Sequence, residues 1–177
     1  MKRVLMLGGS HFQVPSIITA KQMGCYVITC DYLPNNPGHK FADEYYNVST
    51  TEKEKVLDLA KKLNIDGIVC YASDPSAPTA AYVAEKLGLP GNPYRSVEIL
   101  ANKDLYREFL SNNGFRVPRA KGFSSLSEAE KDFDNFTAPV MVKPVDSCGS
   151  KGVSKGFHKA ELANAIEAAL SYSRCHR

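Results

Sequence analysis

The sequence predicts an α/β protein in which a doubly wound parallel sheet is followed by a smaller α+β unit. Three observations predict it. Short apolar runs alternate with stretches of helical periodicity through the first half of the chain. The runs close on glycine-containing turns or an acid, as strands buried on both faces of a parallel sheet do. The run Leu89-Pro90-Gly91-Asn92-Pro93 then breaks the pattern, and the elements beyond it form a smaller unit. With 177 residues the chain is long enough for one ample domain, or for one domain plus a smaller one.

Each element has a local reason. Val4-Leu5-Met6-Leu7 is a continuous apolar strand ending at Gly8-Gly9-Ser10. Residues 14–23 follow with helical spacing, and Gly24 ends them as a helix C-cap does. Tyr26-Val27-Ile28-Thr29-Cys30 is a second buried strand that closes on Asp31. Strand, helix and strand in that order make a βαβ unit with a right-handed crossover. Residues 33–40, rich in Pro, Asn and Gly, read as loop, and Tyr45-Tyr46-Asn47-Val48 as a short strand. Thr50 or Thr51 can cap a helix over residues 52–63, which has Glu in its first turn and Lys near its end. Residues 65–71 give another strand, and residues 77–87 a helix that Gly88 stops.

In the second half, residues 96–113 are helical in pattern, with Asn102 a cap and Gly114 a stop. Val117-Pro118 opens a second βα repeat. A helix over 127–136, strands over 140–145 and 153–157, and a helix over 160–172 complete it. The expected division is residues 1–93 for the sheet domain, 94–113 for a connector helix and 114–177 for the second unit.

Composition narrows the class. A hydrophobic fraction of 44% and a charged fraction of 23% are those of a globular protein and argue against disorder or coiled coil. The net charge of +3 is scattered, without the basic stripe of a nucleic-acid binder. Cys25, Cys30, Cys70, Cys148 and Cys175 are odd in number and form no CxxC pair, which suits reduced thiols. The apolar run after Met1-Lys2-Arg3 is too short for a signal peptide. No segment approaches the roughly 18 apolar residues of a membrane span. A soluble, cytoplasmic protein with no nucleic-acid or membrane partner is expected.

Three stretches can carry chemistry. Gly8-Gly9-Ser10-His11 lies at the carboxyl end of the first strand, where open α/β sheets bind ligands. It lacks the glycine register of a dinucleotide fingerprint, although Asp31 mimics that fingerprint's ribose-binding acid. A ligand-free tight turn, a site for a small anionic substrate and an NAD site all stay open. The second stretch delivers a buried lysine, Lys143, at a strand end, followed by Ser147, Cys148, Gly149, Ser150, Lys151 and Gly152. Polyphosphate needs point cations and backbone N–H groups that can approach closely, which favours Gly and Ser; an ordinary hairpin loop with solvated lysines is the alternative. The third is Asn102-Lys103-Asp104, a helix start whose lysine is by itself a solvated side chain. His158, Cys175 and His176 fit no zinc spacing.

Taken in order, these stretches resemble the ATP-grasp superfamily. The run Leu100-Ala-Asn-Lys-Asp-Leu-Tyr-Arg-Glu-Phe-Leu-Ser-Asn-Asn-Gly-Phe-Arg-Val-Pro118 looks like the entry to that fold. Met141-Val-Lys-Pro-Val-Asp-Ser-Cys-Gly-Ser-Lys-Gly-Val153 looks like its lysine strand and phosphate-covering loop. The likeness is greatest to the branch of carbamoyl-phosphate synthase large chains, biotin carboxylase and related carboxylate–amine ligases. It implies a Rossmann-like pre-ATP-grasp domain followed by the start of the ATP-grasp lid. It also implies that Lys103, Lys143 and the loop from Ser147 to Gly152 hold ATP phosphates, with Lys151 standing where an arginine is common. Gly8, Gly9 and Ser10 would line the floor for a small carboxylate substrate. The implied reaction turns a carboxylate or bicarbonate into an acyl phosphate, which an amine or other nucleophile opens.

The family also uses Mg²⁺, held by acidic and Asn ligands in a further region, and no such acidic cluster follows residue 172 here. The expectation is therefore an N-terminal part of a longer ligase, without catalytic or metal-binding residues of its own and inactive alone. Whether it forms a homodimer is open. An NAD-dependent Rossmann oxidoreductase and a non-catalytic binding module that keeps the fold are the competing readings.

Overall fold

The computed structural model describes every residue from Met1 to Arg177, in two compact units, Met1–Glu98 and Ile99–Arg177. The first holds a parallel sheet of β1 (Arg3–Leu7), β2 (Tyr26–Cys30), β3 (Glu44–Tyr46) and β4 (Gly67–Cys70), in the order β3-β2-β1-β4. In β1, Leu5 pairs with Ile28 on one side and with Ile68 on the other. Successive side chains of a strand face opposite ways, so the covered part of the central strand, Val4 to Leu7, is apolar at every position. Leu5 and Leu7 pack on Val56 and Ala60 of α2 (Lys53–Leu63) and Val83 of α3 (Ala77–Leu87). Met6 packs the other way, with Val27 and with Ile17 of α1 (Val14–Gln22). Helices therefore cover both faces, and the expected α/β fold class is found.

Local details differ from expectation for physical reasons. The Pro- and Gly-rich loop after β2 winds into a 3₁₀ turn at Pro37–Phe41, started by a proline whose fixed φ suits a first helical position. Neither Thr50 nor Thr51 caps α2, whose N-cap is Glu52. The Thr50 hydroxyl instead accepts a 2.8 Å hydrogen bond from Ser76 Oγ, and Thr51 Oγ1 lies 3.1 Å from Ser49 Oγ. The fourth strand is shorter than its apolar run, because Ala72 just beyond it takes a left-handed φ of 50°. The expected stop at Gly88 is found, in the left-handed conformation.

The helical pattern over 96–113 is two helices. α4 (Tyr94–Ala101) ends where Asn102 turns extended, at φ −110° and ψ 118°, and α5 (Lys103–Asn112) begins there. Asn favours this N-cap conformation over a helix interior. No strand forms at Val117-Pro118. The Ser125 hydroxyl caps α6 (Leu126–Asp132) by accepting from the Glu128 N–H. β5 (Val140–Val142) and β6 (Ser154–Gly156) pair antiparallel across the Ser/Gly loop, both shorter than the strands expected over 140–145 and 153–157. β5 stops before Lys143, and Pro144, which has no N–H to give a ladder, is fully buried. Lys143 itself is exposed rather than buried. α7 (Leu162–Tyr172) sets Leu162 and Ile166 against Ala129 of α6 and Val140 and Val142 of β5. No helix is long and apolar enough to cross a membrane.

Candidate functional site

A cleft of about 610 Å³ opens within the second unit. Its lining joins two kinds of surface. Val140, Val142 and Ile166 give it an apolar floor, and Phe123, Phe133 and Phe136 add aromatic rings. Six cationic side chains, Lys103, Arg107, Arg119, Lys121, Lys143 and Arg177, line it against a single carboxylate, Asp104. Some of that charge is matched locally: Arg177 Nε lies 2.8 Å from Asp104 Oδ2, as an ion pair rather than an aligned hydrogen bond, and Lys121 Nζ 3.2 Å from Asp132 Oδ1. The balance remains strongly positive. A ligand with one apolar planar part and one multiply anionic part suits this lining.

The structure brings Lys103, Lys143 and the Ser/Gly loop together. Lys103 opens α5, and its backbone N–H donates to the Val145 carbonyl at 3.0 Å. Its ammonium donates to the Val145 carbonyl at 3.3 Å and to that of Ser147. Of three ammonium hydrogens, two are thus engaged and one remains for a ligand. Burial, and then the nearby Lys143 ammonium, hold the Lys103 pKa below its ordinary value of 10.5. Two cations pressed together at a partly desolvated place are stabilised by an anion between them.

The loop bends through left-handed residues, with φ of +69° at Gly149, +59° at Ser150 and +66° at Gly152. Such turns are the backbone geometry from which anion-binding nests are built. Gly152 also has no room for a side chain, since a Cβ there would sit 2.9 Å from Tyr172 Cδ2. Cys148 and Lys151 are exposed. Arg107 and Arg119 were not among the expected site residues. For Arg107 a signal exists, because its i, i+4 spacing from Lys103 puts both on one helix face; for Arg119, in a segment without regular structure, there is none.

Gly8, Gly9 and Ser10 lie in the first unit, at the carboxyl end of β1. The chain runs from β1 outward to β2 and β3 and returns on the far side of β1 as β4, so the sheet's switch point lies between β1 and β4. The Gln13 side chain, 4% exposed, spans it. Its Oε1 accepts from Ser10 N at 3.0 Å and Ser10 Oγ at 2.6 Å, and its Nε2 donates to the Tyr71 carbonyl at 2.7 Å. Gly9 N donates to Asp31 Oδ2 at 3.0 Å, and Asp31 also accepts from Leu33 N and Asn36 Nδ2. The acid that would bind ribose in an NAD site is therefore engaged in holding its own loops.

No family model matches the chain. It is 28% identical over 175 residues to the formate-dependent phosphoribosylglycinamide formyltransferase of Prochlorococcus marinus (strain NATL2A), a match covering 98% of this chain and 45% of that protein. N5-carboxyaminoimidazole ribonucleotide synthetase from Thermotoga maritima matches in structure with a TM-score of 0.69 and 27% identity, over 93% of this chain and 43% of that one. The biotin carboxylase domain of Hydrogenobacter thermophilus 2-oxoglutarate carboxylase, solved with MgADP, ADP and bicarbonate, shares the fold. Its TM-score is 0.72 at 21% identity, covering 97% of this chain and 41% of that one. The chain spans less than half the length of the relatives it matches. By sequence and fold it is a relative of the ATP-grasp enzymes and corresponds to their N-terminal part.

Proposed function

We propose that the chain is the N-terminal part of an ATP-dependent ligase that activates a carboxylate. One observation carries this reading: Lys103 and Lys143 line one electropositive, aromatic-walled cleft, with Lys103 bonded directly to the Ser/Gly loop. In it, residues 1–93 form the pre-ATP-grasp domain, 94–113 the connector and 114–177 the start of the lid. Lys103, Lys143 and Ser147, Cys148, Gly149, Ser150, Lys151 and Gly152 hold the ATP phosphates, while Gly8, Gly9 and Ser10 floor the carboxylate site. ATP supplies the phosphoryl group. The substrate's carboxylate oxygen attacks the γ-phosphorus and ADP leaves; an amine or other nucleophile then attacks the acyl carbon and phosphate leaves. The chain's own cations bind and orient the polyphosphate and spread the charge that develops on it.

Mg²⁺ at nucleotide sites is held by one or two carboxylates together with phosphates and water, and no ligand to it is assigned in this chain. No group of three or more His, Cys, Asp or Glu side chains is placed to hold a metal ion, so no step is assigned through one. The chain alone is expected to release no steady ADP, and an ADP-release assay checks this. Formate and bicarbonate are the carboxylates to screen with a longer ligase, given the relatives named above. The reading extends to a cytoplasmic protein that forms a homodimer, in line with the biotin carboxylase domain dimer among its structural relatives.

Lys143→Ala tests the site. Titration with mant-ATP should show affinity falling by roughly 10- to 100-fold, the scale of one charge-assisted contact. Lys155→Ala should leave it unchanged, because Lys155 stands over the Phe157 ring at 4.7 Å, away from the cleft lining. Equal effects of the two variants would remove the assignment.

A further inference from the structure

Asp146 is the one acidic residue between Lys143 and the Ser/Gly loop, which is an unexpected place for a negative charge if the loop receives phosphate. Its side chain is only 13% exposed. Oδ2 accepts the N–H of Arg174 at 3.0 Å and that of Cys175 at 3.1 Å, and Oδ1 lies 3.3 Å from the same Arg174 nitrogen. The Arg174 guanidinium donates to the Asp146 backbone carbonyl, and its Nε stands 3.8 Å from Oδ2. Asp146 is therefore gripped through both main chain and side chain by the segment that follows α7.

We propose that Asp146 is a positioning residue of the loop, its carboxylate stapling the start of residues 147–152 to the segment at Ser173–Cys175. The neighbouring bonds agree with that role. Val145 N donates to the Arg177 carbonyl at 3.1 Å, while Val145 O accepts from Lys103 N at 3.0 Å. Ser147 O accepts from the Lys103 ammonium. Each of the three residues leading into the loop is thus tied to an element outside it. Of the three ties, that of Asp146 alone is made by the loop strand's own side chain, so it can be cut without touching the backbone. The same bonds place its charge against Arg174 and two N–H groups, which reduces its repulsion of an incoming anion. Burial raises its pKa, but hydrogen bonds from the Ser173 hydroxyl and the Cys175 and Arg174 N–H groups, with the Arg174 charge, outweigh this and leave it below the ordinary 3.8. The carboxylate is therefore ionised at neutral pH.

The inference rests on reading residues 147–152 as a phosphate loop, and the test separates the two. The 177-residue chain, Asp146→Asn and Arg174→Ala are compared by amide hydrogen exchange and by mant-ADP titration. Asp146→Asn should speed exchange at 147–152 about tenfold while leaving β1 to β4 unchanged. It should weaken mant-ADP binding by a similar factor. Arg174→Ala keeps its backbone N–H, so it should show the same pattern at smaller amplitude, and it serves if Asp146→Asn does not fold. Unchanged exchange in the loop, or faster exchange spread evenly over the chain, overturns the positioning role. Unchanged mant-ADP affinity beside an unmodified chain that binds well overturns it too. An unmodified chain that does not bind mant-ADP overturns the phosphate reading itself.

Discussion

At the scale of single residues, the cysteines and one glycine make the sharpest statements. Burial pushes the Cys30 thiol up to about 12, with the Asp31 charge adding to it, and burial pushes Cys70 up to about 11. Both are thiols, not thiolates, at neutral pH, and a thiol is a poor nucleophile. Cys148 and Cys175 are exposed. A chromogenic disulfide reagent should modify Cys148 and Cys175 quickly and Cys30 and Cys70 only on unfolding. Added ATP should slow Cys148 most, if the loop closes over phosphate. Gly9 is a packing requirement of a different kind. A Cβ there would lie 2.1 Å from His39 Cε1. That ring cannot retreat freely, being held by Thr29 Oγ1 at 2.9 Å and the Leu33 carbonyl at 3.1 Å, with Tyr45 stacked at 4.0 Å. Gly9→Ala should cost about 1–3 kcal/mol, the usual scale of overpacking, read as a lowered urea midpoint with an unchanged slope.

At the scale of elements, legibility followed the strength of the local signal. β1 and β2 were readable because a strand covered on both faces is apolar along most of its length, and no helix of five residues competes with that reading. α3 was readable to its last residue because Gly88 supplies the left-handed cap. The cap of α2 was not, since two adjacent threonines offer equally good hydroxyls and only the fold shows that Ser76 and Ser49 engage them. The break at Asn102 was half legible: the cap residue was named, but the apolar spacing on either side continues through it. Lys143 was misread as buried because apolar residues flank it on both sides, at 139–142 and at Pro144 and Val145, whereas the ladder ends at Val142. In the cleft, Lys103 and Lys143 were legible from their motifs, whereas Lys121 was not. Arg107 comes from α5, Arg119 from residues 118–123 without regular structure and Arg177 from the segment after α7, and sequence order does not show that these meet β5.

At the scale of the whole molecule, acid should unmake the fold in a narrow window. Hydrogen bonds to Glu44 from the Tyr26 and Tyr46 hydroxyls hold its pKa below 4.5. Desolvation opposes the shift at Asp43, but the Lys21 ammonium and Val27 N–H prevail and leave it below 3.8. Asp146 behaves alike. A folded-state pKa below the unfolded one means stability that is complete above the ordinary values and is lost as pH falls through the lower, folded ones. Melting temperature should stay level from pH 7 to about 5 and drop steeply below about 4. Asp43 and Glu44 are the more exposed of the three, so salt should soften their part of the drop. A curve that instead falls between pH 7 and 5 would point to a histidine in control.

The strand order has a consequence in time as well as in space. β1 and β2 are joined by a short crossover, but β1 meets β4 across a long stretch of chain, and Arg3 and Asp66, which bond beside that pairing, are 63 positions apart. Closing the larger loop costs more chain entropy before any contact rewards it. The second edge of the central strand is therefore expected to complete late in folding, which low φ-values for truncations in β4 would show. Gln13 can reach the Tyr71 carbonyl only then, so the switch-point crevice is among the last features to exist, assembled by the strand that arrives from farthest away.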